Sequence, residues 1–483
     1  MMDGPLVLLA IIFFPLLGSV GGIGLHRWGL VRDGWTLLCA IAMHGCAWWL
    51  ISMPEIPPWV LLELFEDVPL TLHPDPLGRI YALLASGLWI ANAVYAFGYM
   101  RANHEPRQTA FYAWFGVAMA ATMGLAFSGD LLTLLFFYEA LTLSTYPLVT
   151  HSRNVASIRG GRVYLRYLLG SSLVFLVLAI IWTWAVSGTL IFTRGGVIPA
   201  NVPMWTYLVL SILYAYGVGK AALFPLHGWL PAAMVAPTPV SALLHAVAVV
   251  KAGVFTLIKV FVYVLGFENL KLLSLDNLWL GLAGFTIIFA SIKALQQDHL
   301  KKRLAYSTIS NLSYIILSAA LFTPLGIIGA TLHLVTHAFG KITLFFVAGA
   351  IHTTAHIDHI SQMQGIGRRM PWTMGFFFIG VLSMIGLPPT AGFLSKWFIL
   401  RAGMDVHSWW LILVLGFSTV MNVAYFAPIL VTAFLDPLPA DSHAREAPIL
   451  MLAAMLFTAL MTLLLFFRPD LMLLAVKPWE ALL

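Results

Sequence analysis

Charged side chains are scarce in this sequence: Asp, Glu, Lys and Arg make up only 10% of its 483 residues. A soluble domain usually carries about 25% charged residues, so the composition argues against a soluble protein. The mean hydropathy is +0.91, and 60% of the residues are hydrophobic. Apolar stretches of about 20 residues recur along the chain, and each is long enough to cross the hydrocarbon core of a bilayer as a helix. The composition therefore predicts an integral membrane protein.

Cysteine is also rare, and the two that are present, Cys39 and Cys46, lie in one apolar run. Their spacing fits neither a zinc site nor a redox CxxC pair, so we interpret both as small buried hydrophobic residues. CxxC, GxGxxG and P-loop motifs are missing. We therefore expect this chain to carry no cofactor and no metal: no nucleotide, haem or iron–sulfur cluster. The apolar runs also lack the dyad alternation of membrane strands, which argues against a β-barrel.

The apolar stretches predict about 14 transmembrane helices, separated by charged or Pro/Gly-rich loops. We place them near residues 5–25, 35–53, 78–99, 108–128, 131–150, 163–187, 205–225, 238–265, 275–296, 303–323, 325–351, 372–400, 409–435 and 447–467. No basic segment precedes the first stretch and no small-residue cleavage site follows it, so we expect a retained helix rather than a signal peptide. The fold class is thus an all-α polytopic membrane protein.

Lysine and arginine are distributed unevenly between alternate loops, and this bias predicts the orientation of the helices. One set of loops carries Arg27, Arg32, Arg101, Arg107, Arg153, Arg159, Arg162, Lys301, Lys302, Arg303, Arg368, Arg369 and Arg445. The opposite set, with both termini, carries Arg79, Arg194, Lys271, Arg401, Arg468 and Lys477, together with the acidic residues Glu55, Glu63, Glu66, Asp67 and Asp75. Because basic loops stay in the cytoplasm, we expect a cell-membrane protein with both termini outside.

Several basic residues remain inside the predicted spans: Arg166, Lys220, Lys251, Lys259, Lys293, Lys341 and Lys396. A charge at the bilayer centre costs at least about 2.5–3.5 kcal/mol, so these residues need a reason to be there. The side chains of Arg166, Lys259 and Lys293 can extend toward a helix end, which explains their position without a role in transport. The other four lie deeper. They either cap helix breaks or take part in ion transport, and we favour transport.

Glu139 is the one carboxylate in the middle of a predicted span, whereas we expect Asp130, at a helix mouth, to be solvated. A buried carboxylate beside a buried lysine makes a pair that a nearby proton can switch. Lysine suits proton transfer because removal from water can bring its pKa from about 10.4 toward neutrality. The sequence therefore predicts a proton path that includes Glu139 and the deep lysines.

Histidines extend this predicted path. His333, His337 and Lys341 recur at i, i+4 and i+8, which places them on one face of a helix. We interpret them as a proton relay rather than as satisfied core residues, and a metal site is disfavoured because no third ligand is evident. His245 and Lys251 lie six residues apart and cannot form such a stripe by themselves.

Prolines interrupt two of the spans, since Pro225 follows Lys220 and Pro388 precedes Lys396. Broken helices in corresponding positions of two halves point to an ion path at the bilayer midplane, often built on inverted repeats. We predict two inverted five-helix repeats, helices 4–8 and 9–13, in which helices 7 and 12 are broken. The expected organisation is a three-helix segment at 1–100, the first repeat at 101–266, the second repeat at 267–436, and a C-terminal helix and tail at 437–483.

Five segments resemble the antiporter-like subunits shared by Mrp-type cation/proton antiporters, respiratory complex I and membrane-bound hydrogenases. They are FFYEALTLSTYPLV (136–149), GKAALFPLHGWLPAAMVAPTPVSALLHAVAVVKAGVF (219–255), KKRLAYSTISNLSY (301–314), HLVTHAFGKITLFFVAGAI (333–351) and GLPPTAGFLSKWFIL (386–400). The resemblance implies the same 14 helices and the same two breaks. It also implies functional roles for Glu139 and Lys220 as a pair, His245 and Lys251 on helix 8, His333, His337 and Lys341 as a relay on helix 11, and Lys396 as the exit residue.

The resemblance implies a proton-translocating subunit that works with other integral membrane subunits. The formal charge of +6 comes from basic residues in short loops between helices, a pattern of membrane topology, so we expect no binding to nucleic acid. Our first choice is a D-type subunit of an Mrp-like sodium/proton antiporter. One alternative is a proton-pumping subunit of a complex I or hydrogenase type redox complex, which would make the chain part of an oxidoreductase without a redox centre of its own. Another is a membrane subunit that supplies proton flux to an inorganic-carbon uptake complex. The sequence leaves the three open.

Overall fold

The computed structural model describes residues 4–54, 56–65, 68–199, 201–439 and 444–473. Four residues used in the orientation prediction, Glu55, Glu66, Asp67 and Lys477, lie outside these ranges.

Long helices, numbered α1 to α14 in chain order, make up most of the described chain. The first six are Gly4–Gly24, Gly29–Ser52, Pro76–Ala102, Gln108–Ala126, Leu131–Val149 and Val155–Ser187. α8 to α11 are Thr238–Leu265, Asp276–Leu295, Leu300–Ala319 and Pro324–Ala355, and α13 and α14 are Trp409–Phe434 and Ile449–Phe467. A short helix, Phe267–Leu272, links α8 to α9.

α7 and α12 are interrupted, as the prolines predicted. α7 begins as Met204–Gly217, passes through a tight turn at Gly219–Ala221, and resumes at Trp229–Ala232. α12 consists of Pro371–Ile385 and Ala391–Asp405. Eleven of the described helices are long and apolar enough to cross a membrane. The predicted polytopic helical fold is therefore confirmed, whereas the division into two repeats and the orientation of the termini stay predictions.

α8 and α11 lie at the centre of the bundle. All of the apolar core of α8 and 94% of that of α11 are buried, against 39% for α1 and α14. An all-round buried helix is shielded from lipid by its neighbours, so polar side chains on it can contact only other protein groups or water. The two helices that carry His245, Lys251, His333, His337 and Lys341 are thus the best enclosed of the fold.

Part of the region between α2 and α3, which we had taken for an acidic loop, is a hairpin of β1, Trp59–Phe65, and β2, Val68–Leu72. The strands are antiparallel, with Trp59 opposite Leu72 and Glu63 opposite Pro69. The hairpin folds against the beginning of α5, because the backbone N–H of Thr71 donates to Asp130 Oδ2 at 2.7 Å.

This contact overturns the expectation that Asp130 is solvated. Asp130 is fully buried, and its carboxylate accepts hydrogen bonds from the backbone N–H and the hydroxyl of both Thr71 and Thr133, at 2.6–2.7 Å. A carboxylate that accepts the first free N–H groups of a helix stabilises that helix end. Asp130 is therefore a buried N-cap of α5.

Lys259 does not extend outward as the sequence allowed. It is fully buried at the end of α8, where Nζ lies 2.9 Å from Asp75 Oδ2 and donates to the carbonyl oxygen of Ser128 at 2.6 Å. Asp75 is itself buried and caps α3 through a 2.7 Å bond from Gly78 N. An ion pair in this environment needs such additional hydrogen bonds, because removing both charges from water is costly. It ties α3 to α8 at one end of the bundle.

Candidate functional site

The break in α7 places Lys220 in a buried turn beside α5. Its ammonium group donates to the carbonyl oxygen of Tyr138 at 2.8 Å and to Thr142 Oγ1 at 2.5 Å. Nζ also lies 3.1 Å from the centre of the Tyr138 ring, within the range of a cation–π contact. α5 therefore supplies every polar contact that the described structure gives to this ammonium.

Gly253 on α8 makes room for the same turn. A Cβ atom at this position would lie 2.3 Å from Ala221 N and 2.4 Å from the carbonyl carbon of Lys220. Those atoms belong to the backbone and cannot rotate away. Only glycine therefore lets the Lys220 turn approach α8 this closely.

We expect Gly253→Ala to displace the Lys220 turn and to lower both the stability and the activity of the protein. Overpacking of this kind usually costs about 1–3 kcal/mol. Gly281→Ala on α9 is the matched control, since a Cβ there would meet nothing within 4 Å. Thermal unfolding in detergent should show a lower midpoint for Gly253→Ala alone, and equal midpoints for the two variants would contradict the packing argument.

Glu139 lies near Lys220 but is not hydrogen-bonded to it. Both carboxylate oxygens of Glu139 are buried and lack a hydrogen-bond partner within the described residues. The Lys220 ammonium is within electrostatic range, and its two partners on α5, Tyr138 and Thr142, lie on either side of Glu139 in the chain. Glu139 and Lys220 are therefore neighbours without a direct hydrogen bond in the described structure, and their coupling stays a prediction.

The bundle centre brings α8 and α11 together through their ionisable side chains. Lys251 Nζ lies 2.8 Å from His337 Nδ1, and both residues are fully buried. When the lysine is an ammonium, it donates to Nδ1, and the ring proton of His337 then sits on Nε2. The sequence had not paired these two residues.

His333 lies one turn from His337 on α11, with 5.9 Å between the ring centres, and contacts α12. Its Nδ1 is 3.0 Å from Ser395 Oγ, which donates its own proton to the carbonyl oxygen of Gly392. Ser395 can then only accept from the histidine, so we assign the ring proton of neutral His333 to Nδ1. Nε2 has no partner among the described residues and is free to receive a proton.

Lys341 points from α11 toward the beginning of α10. Its ammonium donates to Ser307 Oγ at 2.8 Å and to the carbonyl oxygen of Leu304 at 3.3 Å. Ser307 also accepts a 3.0 Å bond from the hydroxyl of Tyr425 on α13. Three helices therefore meet at this lysine through polar groups.

Lys396 lies at the break of α12 and donates to the carbonyl oxygens of Met384 and Ile385, both at 2.9 Å. The last carbonyls of a helix lack intrahelical partners and carry a partial negative charge, so they suit an ammonium group. Lys396 also lines a cleft of about 350 Å³ that includes Trp397 and Thr419. The residue expected at the exit of the path therefore borders an open cleft.

His245 is fully buried on α8, and neither ring nitrogen has a hydrogen-bond partner in the described structure. Its ring packs 4.5 Å from that of Phe345 and lies within electrostatic range of Lys341 and Lys301. His245 is thus placed beside the α11 residues without a bond to them.

The structure therefore gathers the predicted residues into two groups. Glu139 and Lys220 lie between α5 and α7, whereas Lys251, His333, His337 and Lys341 lie between α8 and α11, with Lys396 and His245 adjacent to the second group. Sequence reasoning missed the polar partners Tyr138, Thr142, Ser307 and Ser395. Their presence in apolar spans was a signal, but one sequence does not reveal which lysine each one faces.

Comparison with known proteins gives a consistent result. Residues 128–422 match the family described as "NADH:quinone oxidoreductase/Mrp antiporter, TM". The chain is 32% identical over 426 residues to "NADH-quinone oxidoreductase subunit N" of Desulforudis audaxviator (strain MP104C), covering 87% of this chain and 82% of that protein. It is 32% identical to a probable K(+)/H(+) antiporter component of Rhizobium meliloti (strain 1021), covering 70% of this chain and 33% of that protein. For "Hydrogenase-4 component B" of Escherichia coli (strain K12) the identity is 28%, over 69% of this chain and 51% of that protein.

Solved structures share the fold at lower identity. A chain of the membrane-bound sulfane sulfur reductase (MBS), an archaeal respiratory membrane complex, matches 99% of this chain with a TM-score of 0.84 and 22% identity. A chain of the Mrp complex from Dietzia sp. DQ12-45-1b matches 98% with a TM-score of 0.81 and 18% identity. The covered shares of those chains are 97% and 96%. At this identity, the two matches speak for the fold alone.

Proposed function

We propose that this chain moves protons through its buried lysines and histidines. The chain belongs to the NADH:quinone oxidoreductase/Mrp antiporter family of antiporter-like membrane subunits. The expected membership of this family is confirmed. The expectation of a multi-pass membrane protein is confirmed too, and its relatives belong to multi-subunit complexes. The role of each site residue and the ions that move are the proposal.

The observation that carries the proposal is the 2.8 Å contact between Lys251 and His337 at the bundle centre. Proton transfer needs a donor and an acceptor within about 2.6–3.2 Å. A proton that leaves the ammonium of Lys251 for Nδ1 of His337 leaves a neutral amine and forms an imidazolium ion. Two buried groups that exchange a proton in this way can conduct protons. A lysine that only caps a helix has no such acceptor and cannot.

His337 connects this contact to the rest of α11. Loss of the Nε2 proton of its imidazolium ion toward Lys341 or His333 returns the ring to a neutral form. From His333 the path continues to Lys396, which lies within electrostatic range. On the other side, no hydrogen bond joins Lys220 to Lys251 in the described chain. A proton that passes between them therefore requires a water molecule or a side-chain movement, which gives the path a point of control.

The comparisons bear on two of the three parent complexes that the sequence left open. An Mrp-type sodium/proton antiporter is the one that we infer from the sequence. The Rhizobium relative, a probable K(+)/H(+) antiporter component, supports it, because it is 32% identical over 70% of this chain. A redox-driven complex is favoured by coverage, because the chain spans 82% of the subunit N relative but only 33% of the antiporter relative. In both, other membrane subunits would flank this chain.

We expect vesicles that contain the native complex to move protons in a manner that depends on Lys251. Lys251→Met keeps an unbranched side chain that is one atom shorter but cannot carry a proton, so proton movement should fall by about 100-fold or more. Movement driven by a sodium gradient alone would identify the antiporter, and movement that needs an electron donor and a quinone would identify the redox complex. Unchanged proton movement in Lys251→Met, under either driving force, would refute the proposed path.

A further inference from the structure

Titratable side chains that the proposed path does not use collect where α10 begins and α11 ends. The segment after α11 folds back against the beginning of α10, because Leu300 N donates to the carbonyl oxygen of Asp358 at 2.9 Å. His352, in the last turn of α11, places Nδ1 3.0 Å from Asp358 Oδ1. These two side chains are 39% and 37% exposed, so the pair is in contact with water.

Glu105, between α3 and α4, completes the group from another direction. Its carboxylate lies 3.6 Å from His151 Nε2 and within electrostatic range of His352 and Lys301. Burial raises the pKa of Glu105, and the positive charges of His352, Arg107 and Lys301 oppose that rise. The hydrogen bond from His352 lowers the pKa of Asp358 to about 2. Asp358 thus stays negative beside an imidazole and a carboxyl that can exchange protons.

A half-buried lysine leads inward from this group. Lys301 lies within electrostatic range of Asp358 and Glu105 and donates to the carbonyl oxygen of Ala236 at 3.0 Å. Three residues further along α10, the carbonyl oxygen of Leu304 accepts from Lys341. Residues i and i+3 share a helix face and are separated by about 4.5 Å along the axis. The first turn of α10 therefore connects the surface group to the proposed path.

We propose that Glu105, His352, Asp358 and Lys301, here called the mouth cluster, collect protons from water and deliver them to Lys341. The inference rests on the proposed function of the chain. A proton from water binds the imidazole of His352 or the carboxylate of Glu105 and passes to Lys301 when its amine is neutral. Lys301 then returns to the neutral amine by donating to Lys341 or to His245, which lies within range of both lysines. Only protons move, and no bond between heavy atoms changes.

Other titratable or charged groups surround the mouth cluster and contribute to its field. They are Arg107, His151, Asp298, His299, Lys302, His356 and His359. Burial and the charge of Lys301 lower the pKa of His299 to about 4, so it remains neutral at working pH. The charge bias of the loops predicts that this end of the bundle faces the cytoplasm.

A collecting surface is needed most at alkaline pH. Free protons are then so dilute that diffusion to one site limits the rate of uptake. A charged surface can raise the local concentration and the association rate by about 10–10³-fold. The partly exposed acids and the histidine of the mouth cluster offer such a surface, whereas Lys341 is fully buried.

The test is proton transport by the complete complex in vesicles, measured from acidic to alkaline pH in weak buffer. The triple variant with Glu105→Gln, His352→Gln and Asp358→Asn should transport about tenfold more slowly at alkaline pH and lose little at acidic pH. Tenfold is the lower limit of the effect that a charged surface has on association rates. A small mobile buffer, imidazole, should restore the rate because it carries protons to Lys301 directly. His352→Gln alone should show the same pattern to a smaller extent, and it serves if the triple variant fails to assemble.

His26→Gln is the matched control: an exposed histidine on the same predicted side, whose Nδ1 lies 3.1 Å from the carbonyl oxygen of Ile23. It should leave the pH profile unchanged. The inference is overturned if the mouth variants keep the wild-type profile, or if they lose activity at every pH and imidazole does not restore it. The variant Lys341→Ala distinguishes a failure of this inference from a failure of the proposed function. If it abolishes transport while the mouth variants behave as wild type, only the inference fails; if Lys341→Ala transports normally, the proposed function fails.

Discussion

Replacing Lys220 by alanine is expected to abolish proton-coupled transport while the complex still assembles. Its ammonium is fully buried and is held by the carbonyl oxygen of Tyr138 and the hydroxyl of Thr142. Alanine leaves these acceptors in place but removes the only proton carrier in the turn. Loss of a positioned proton donor costs about 10²–10⁴-fold in rate, so we expect residual transport of about 1% or less in vesicles.

Glu139→Gln should cause a comparable loss. The Glu139 oxygens have no hydrogen-bond partner among the described residues, so the amide preserves the shape of the side chain while removing only its charge. Without that negative charge, the Lys220 ammonium keeps its hydrogen bonds to Tyr138 and Thr142 but loses the charge that the proposed pair requires. We expect the same transport assay to show that both Glu139→Gln and Lys220→Ala are inactive.

Thr142→Val is the matched control for this pair. It removes one hydrogen-bond acceptor at 2.5 Å from Lys220 but leaves the lysine, the Tyr138 carbonyl and Glu139 in place. A single hydrogen bond contributes about 0.5–1.5 kcal/mol, so the loss should be roughly tenfold or less. Near-wild-type transport in Lys220→Ala or Glu139→Gln, at equal levels of assembled complex, would contradict a coupled pair.

The helices were predictable because a bilayer imposes their length and their composition. Each apolar run had to satisfy its backbone internally, so a span near 409–435 could only become a helix such as Trp409–Phe434. The breaks were predictable for a related reason: Pro225 and Pro388 cannot donate a backbone hydrogen bond, and each lies in an interruption of α7 or α12.

The environments of Asp130 and Lys259 were not predictable, because they depend on segments remote in the sequence. Asp130 is buried by Thr71, which lies in a hairpin 59 residues earlier. Lys259 meets Asp75 across the fold. Helix periodicity shows which face of a helix a side chain occupies, but it does not show which other helix covers that face.

The same limit applies to the candidate site. The i, i+4, i+8 spacing placed His333, His337 and Lys341 on one face of α11, and all three side chains lie inside the bundle. The spacing could not show that Lys251, 86 residues away from His337, would meet that face at 2.8 Å. That pairing follows from the packing of α8 against α11, which no local pattern encodes.

Lys396→Arg should lose transport as completely as Lys396→Ala. Arginine keeps the positive charge and has enough donors to bind the carbonyl oxygens of Met384 and Ile385, which accept from Lys396 at 2.9 Å. It cannot release a proton, because a guanidinium group stays protonated at any working pH. If Lys396 hands protons to the cleft that it lines, both variants should retain about 1% of wild-type transport or less.

Lys396→Glu tests the same residue with the opposite charge. A carboxylate at this position faces two helix-terminal carbonyls instead of donating to them, and it attracts a proton where the lysine repels one. We therefore expect inactive vesicles and a reduced amount of assembled complex. Lys293→Arg is the matched control, because Lys293 makes a 3.4 Å contact to Gln296 at an exposed helix end and lies 6.0 Å from the centre of the Phe289 ring, contacts that arginine can keep. It should transport normally. If Lys396→Arg also kept most of its activity at matched expression, a fixed positive charge at the α12 break would be sufficient. Lys396 would then hold the broken helix together without carrying a proton.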